Sequence, residues 1–210
     1  MWDRPSPRIE KTLHTGFMTG TPDWLRGYGG VTLDENLRKA QLEIQAPNTA
    51  GGVEFATEDG ASPRWLYTSY FAELRLGCTF SHDLTGRNKF NLTFSDAVGP
   101  TVSDDWVVAG EDARSVGNHL MFGRNGSQTD RRIEYGWVTA DGRVRCELRI
   151  RPGDGEATFL LGDADQPVLH VADADFGTSD FVPKLQVETD NEGTTQSVWL
   201  DEVWLTAVPL

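Results

Sequence analysis

Basic side chains are scarce in this sequence. Lysine occurs only as Lys11, Lys39, Lys89 and Lys184, and 19 Lys and Arg stand against 32 Asp and Glu, for a formal net charge of −13. A phosphate backbone needs a basic surface, so the balance argues against nucleic acid as a partner. It argues equally against an anionic membrane surface. No run approaches the ~18 apolar residues of a spanning helix. The opening MWDRPSPRIEKTLHT has no apolar stretch of the kind a secretory signal carries, so export by a standard signal is not expected. Cysteine is limited to Cys78 and Cys146, each on the apolar side of an alternating segment. The two are read as buried thiols rather than as a disulfide, and no metal-type Cys/His spacing occurs.

Helical periodicity is also missing. The best candidate is residues 32–44, where Thr32 and Glu35 have capping-box spacing. The alternation of Ala40, Leu42 and Ile44 with Lys39, Gln41 and Glu43 favours a strand over its second half. What the chain does have is alternation, repeated. WLYTSYFAELRLGCTF over residues 65–80 is the longest run. It puts Leu66, Tyr70, Ala72, Leu74, Leu76, Cys78 and Phe80 on one face, with Trp65, Tyr67, Ser69, Phe71, Glu73 and Arg75 on the other. KFNLTF places Phe90, Leu92 and Phe94 together. Shorter strands are expected at 51–57, 105–109, 118–123, 157–162, 167–172, 182–188 and 196–208. The 22 glycines and 10 prolines supply turns between them. Strands at short intervals with no linker indicate a single all-β domain over residues 1–210, a sandwich or barrel, with residues 1–10 suited to an N-terminal arm.

Asp141-Gly142 is a type I′ turn signal and predicts a hairpin. Pairing outward from it sets Ile133, Tyr135 and Trp137 with Ile150, Leu148 and Cys146 on an apolar face. Glu134, Arg145, Glu147 and Arg149 share the charged face.

The closing segment VWLDEVWLTAV sets Asp201 and Glu202 in the middle of an apolar strand. A chain of many strands, almost no helix and this closing strand resembles the concanavalin A-like lectin and glucanase superfamily, which includes legume lectins, laminin G-like domains and laminarinase-type glycanases. The resemblance implies a two-sheet antiparallel jelly-roll β-sandwich of concanavalin A-like type. It implies a concave sheet that commonly holds carbohydrate, and first and last strands side by side. Several laminarinase-like enzymes end in a hydrophobic–Asp–x–Val strand whose Asp helps hold a structural calcium, and Asp201 matches that position. The resemblance therefore implies Ca2+ at Asp201, completed by carbonyls of an early turn. The alternative is a twisted strand edge where both carboxylates reach water.

The catalytic signature of the laminarinases, Glu-x-Asp-x-x-Glu on one strand, is missing. So are the Gln-x-His and Tyr-Phe-Lys-Ala-Gly motifs of the alginate lyases. Glu134 and Glu147 stand among arginines, an environment that favours salt bridges over a carboxylic acid with a raised pKa. No catalytic residue is assigned. The acidic cluster Asp163, Asp165, Asp173, Asp175 and Asp180 is read as a solvated edge. The residues expected to contact a ligand are Trp65, Tyr67, Glu73 and Arg75 on the long strand, and Glu134, Arg145, Glu147 and Arg149 on the hairpin, because aromatic rings beside charged groups suit sugars. The reading is a non-catalytic sandwich for glycan binding or assembly, for instance a virion surface or tail component reaching the exterior by assembly, or otherwise cytoplasmic. Its partners would be glycans, copies of itself or other virion proteins. The alternatives are a glycan-active hydrolase or lyase with a non-standard site, and a purely structural oligomeric subunit.

Overall fold

A computed structural model of the chain describes residues 11–17, 21–29, 31, 40–44, 49–57, 59–82, 89–99, 105–112, 117–124, 127–135, 143–162, 166–172, 176, 180–188 and 196–210. Within them the chain forms fifteen strands. In order these are β1 (Lys11–Thr15), β2 (Leu25–Tyr28), β3 (Ala40–Ile44), β4 (Ala50–Phe55) and β5 (Leu66–Tyr67). Next come β6 (Phe71–His82), β7 (Lys89–Ser95), β8 (Trp106–Asp112), β9 (Gly117–Arg124) and β10 (Ser127–Tyr135). The last are β11 (Val144–Arg151), β12 (Glu156–Leu161), β13 (Gln166–Val171), β14 (Asp180–Glu188) and β15 (Gln196–Pro209). Two antiparallel sheets result. The seven-stranded sheet runs β1-β15-β6-β11-β12-β13, with β3 also on β15. The eight-stranded sheet runs β10-β9-β8-β7-β14-β4-β2, with β5 on β14. The first and last described strands pair, Leu13 opposite Leu205.

Both sheets alternate, and their inner faces share one core. Leu74, Leu76, Cys78 and Phe80 of β6 and Val144, Cys146, Leu148 and Ile150 of β11 come from one sheet; Phe90, Leu92 and Phe94 of β7 and Leu185 and Val187 of β14 come from the other. Phe80 and Phe90 meet across the layers with ring centroids 4.4 Å apart.

Three expectations change. The run 65–80 is not one strand. A turn of 3-10 helix at Thr68–Tyr70 breaks its alternation, so Leu66 joins the eight-stranded sheet opposite Phe181, and Phe71 begins β6 in the other sheet as a core residue. The Asp141-Gly142 hairpin is not formed as a strand pair. Ile133 lies opposite His119 in one sheet, and Ile150 lies opposite Leu74 in the other. β10 belongs to the eight-stranded sheet and β11 to the seven-stranded one, where β11 turns Val144, Cys146, Leu148 and Ile150 to the core. Strands β1 and β2, at positions where the sequence delimited no strand, occupy sheet edges. Residues 1–10, 32–39 and 136–142 lie outside the described residues, as do Asp163, Asp165, Asp173 and Asp175.

The closing strand answers its own puzzle. Leu200 pairs with Phe80 and Glu202 with Thr79, so Asp201 is the extra residue of a β-bulge. Val198 and Leu200 face the core before it, and Val203, Leu205 and Ala207 face the core after it. The two Val-Trp-Leu triplets are five residues apart, an odd spacing that would turn the second one outward in a regular strand. One inserted residue restores the phase.

Candidate functional site

The outer faces of the two sheets differ in how their polar groups are employed. On the seven-stranded sheet, Glu73, Arg75, Arg145, Glu147 and Arg149 do come together, along the central strands β6 and β11. They are engaged with one another. Arg75 Nε donates to Glu73, Arg151 Nε donates to Glu73 Oε2 at 2.8 Å, and the Arg149 guanidinium lies 3.9 Å from Glu73 Oε1. Burial alone would raise the Glu73 carboxyl; hydrogen bonds from Arg151 and Arg75, with the charges of Arg75 and Arg149, outweigh it and hold the group below its ordinary value. Glu147 accepts from Arg149 Nη2 and from Trp204 Nε1, both at 2.8 Å. The Arg145 guanidinium covers the Trp204 ring at 4.5 Å. The same ring lies against Gly77, where a Cβ would stand 2.2 Å from ring carbons. This face is a closed ladder of ion pairs.

The remaining expected residues lie elsewhere. Tyr67 is on β5 opposite Asp180, its ring 5.6 Å from Tyr70, and Trp65 is half-buried just before it. Burial raises the Asp180 carboxyl above its ordinary value. Glu134 pairs with Asn118 near the edge of the eight-stranded sheet, and its side chain lies outside the described residues. The structure thus distributes the eight expected ligand contacts over three places.

The outer face of the eight-stranded sheet carries a set of polar residues that the sequence reading did not single out. Register aligns two rows across the strands. One row is Arg26, Glu54, Lys184 and Thr93; the next is Tyr28, Gly52, Gln186, Asn91, Gly110 and His119. Glu54, Asn91, Thr93, His119, Lys184 and Gln186 are all buried although they point away from the core. Arg26 Nε donates to Glu54 Oε1 at 2.6 Å. The Gly99 backbone is held at two points, its N–H donating to Glu54 Oε2 and its carbonyl accepting from Lys184 Nζ, each at 2.9 Å. The start of the β7–β8 connection therefore lies over the first row. In the second row Tyr28 Oη donates to Gln186 Oε1 at 3.0 Å, and Gln186 Nε2 and Asn91 Nδ2 both donate to Glu188 Oε1. Burial, then the charges of Glu54 and Glu188, raise the Tyr28 phenol well above its ordinary value, so it stays protonated. Gly110 is required by close approach, since a Cβ there would stand 2.0 Å from the Phe90 carbonyl oxygen. Asn91 Oδ1 and Thr93 Oγ1 are buried without a hydrogen-bond partner. Each such atom costs about 1–3 kcal/mol until something supplies a partner.

A signal for this face was present. Once Phe90, Leu92 and Phe94 are assigned inward, Asn91 and Thr93 must point outward, and FVPKLQVE gives Lys184 and Gln186 by the same parity.

Asp201, the position matched to a calcium ligand, is nearly buried, and its Oδ2 accepts from Arg143 Nε at 2.8 Å. An early turn does stand beside it. Phe17 has φ of 55°, and a Cβ on Gly16 would lie 3.9 Å from the Asp201 carbonyl oxygen. Among the described residues, however, no three His, Cys, Asp or Glu side chains gather to hold a metal. A guanidinium already holds this carboxylate, and a divalent ion beside it would be repelled, so the arrangement does not fit calcium as it stands.

No family model matches the chain, and no curated protein matches it in sequence. Solved structures do match in shape. The β-glucanase of Bacillus licheniformis aligns over 94% of this chain and 97% of its own, with TM-score 0.67 and 10% identity. Lectin I-B4 from Griffonia simplicifolia, in its metal-free form, aligns over 96% and 100%, with TM-score 0.65 and 12% identity. The exoplasmic/lumenal domain of VIP36, in a form bound to Ca2+ and Man3GlcNAc, aligns over 91% and 86%, with TM-score 0.62 and 10% identity. The fold is the concanavalin A-like sandwich shared by lectins and glucanases.

Proposed function

We propose that this protein is lectin-like and binds a glycan on the outer face of its eight-stranded sheet, over the row Tyr28, Gln186, Asn91 and His119. The observation that carries the reading is a pair of buried, partnerless oxygens among polar neighbours, Asn91 Oδ1 in this row and Thr93 Oγ1 in the adjacent one. Sugar hydroxyls donate and accept hydrogen bonds, so they complete such a surface. The fold neighbours named for lectins and a β-glucanase support glycans as the ligand class. Titration calorimetry against galactose-containing, mannose-containing and β-glucan oligosaccharides tests it. Binding to one of them should weaken at least tenfold in Asn91→Ala combined with Thr93→Val. Arg149→Met on the opposite sheet should leave it unchanged. Binding that depends on Arg149 and not on Asn91 and Thr93 would overturn the assignment.

One observation favours a second reading. Tyr28, His119 and Lys184 stand on the same face as the Gln186 and Asn91 amides, and burial lowers the Lys184 ammonium to about 8, within reach of proton transfer near neutral pH. A glycan-active enzyme with a non-standard site would depolymerise a polysaccharide. It would lose that turnover, but not the fold, in Lys184→Met.

A further inference from the structure

Cys78 and Cys146 face each other directly across β6 and β11, with their sulfurs 3.7 Å apart. Both side chains point inward and are almost completely buried. The pairs on either side, Leu76 with Leu148 and Phe80 with Val144, are apolar and hold both strands in register. Directly opposed residues in an antiparallel pair have Cα atoms about 4.5 or 5.5 Å apart. Both values lie inside the range a disulfide spans, about 4.4–6.8 Å. Closing the sulfurs to a bond of about 2.05 Å therefore needs side-chain rotation and no backbone shift.

We propose that Cys78 and Cys146 form a redox-active dithiol that closes into a cross-strand disulfide when the chain folds in oxidising surroundings. The oxidant is a small disulfide of the glutathione class. One cysteine thiolate attacks it, forming a mixed disulfide and releasing one glutathione thiol. The second cysteine thiolate attacks the protein sulfur of that mixed disulfide and releases the other. Two thiols are oxidised, one external disulfide is reduced to two thiols, and the protons pass to the released thiolates or to solvent. Burial decides the timing. A glutathionyl group has no room in this core, so exchange occurs while β6 and β11 are forming or locally open. The finished bond is then shielded from reductant by the same packing. The tie has a structural consequence. The chain between the two cysteines contains β7, β8, β9 and β10, all of the opposite sheet, so one bond would close the excursion of the chain from one layer to the other and back.

The test is to refold the full chain from denaturant in a glutathione redox buffer and, in parallel, in excess reductant. The oxidised sample should be lighter by two hydrogen masses and yield a peptide joining Cys78 to Cys146. Its Tm should be higher by roughly 5–15 °C, and Cys146→Ala should abolish the difference. The mass and peptide readouts use the wild-type chain, so they stand whether or not that variant folds. Recovery of both cysteines as free thiols, or only as glutathione adducts or intermolecular dimers, would overturn the proposal.

Discussion

Lys184 is fully buried beside Glu54 and donates to the Gly99 carbonyl, and burial lowers its pKa from 10.5 to about 8 against the opposing pull of Glu54 and Asp96. Below about pH 8 the ammonium is charged in folded and unfolded chains alike, and the folded state bears the whole desolvation penalty. Between that pH and the ordinary lysine pKa the folded chain releases its proton first, so this group's penalty falls as pH rises. The relief is on the order of 3 kcal/mol. Urea midpoints of the wild type and Lys184→Met at pH 7.5 and pH 10 measure it. The wild type should gain on the variant at the higher pH, and a difference independent of pH would contradict the assignment. Asp201 gives a second prediction. Because Arg143 holds its carboxylate, EDTA should leave the Tm unchanged, and Arg143→Gln should cost at most about 1 kcal/mol, since the guanidinium is mostly exposed. A fall of several degrees in EDTA would mean that calcium replaces Arg143 there.

The bulge in β15 makes a prediction at the scale of the element. Deleting Asp201 would put either Val198 and Leu200 or Val203 and Leu205 on the wrong face. Each misplaced side chain forfeits about 1.5–3 kcal/mol of burial, and together they approach the whole stability of a domain. The deletion variant should lack a cooperative melt by circular dichroism, while Asp201→Asn should keep one. A deletion variant that melts like the wild type would show that the phase is not set here. The same element shows what a sequence reveals. Alternation located most strands because each buries one face, whatever its partner. It missed β1 and β2, since KTLHT and LRGY are short edge strands with too few apolar side chains to mark a period. It misassigned partners where pairing is non-local. The apolar faces of residues 133–137 and 144–150 are consistent with a hairpin, but parity constrains which face is buried and not which strand lies alongside. A 3-10 turn of three residues was enough to send the two ends of the run 65–80 to different sheets.

At the scale of the molecule, the sheet order decides what the outer surfaces contain. Tyr28, Asn91, His119 and Gln186 are scattered along the sequence and become one row only through the order β2-β4-β14-β7-β8-β9. The charged alternation of β6 and β11 was conspicuous in the sequence, and it builds the ladder whose polar ends hold one another. The less conspicuous face leaves two buried oxygens, Asn91 Oδ1 and Thr93 Oγ1, without a partner. Hydrogen–deuterium exchange of the protein, with and without the oligosaccharide that binds it best, tests this contrast most directly. Protection should appear in residues 89–99, where β7 runs into the segment gripped by Glu54 and Lys184, and in residues 180–188. Protection confined to residues 71–82 and 144–151 would contradict the account and place the ligand on the seven-stranded sheet.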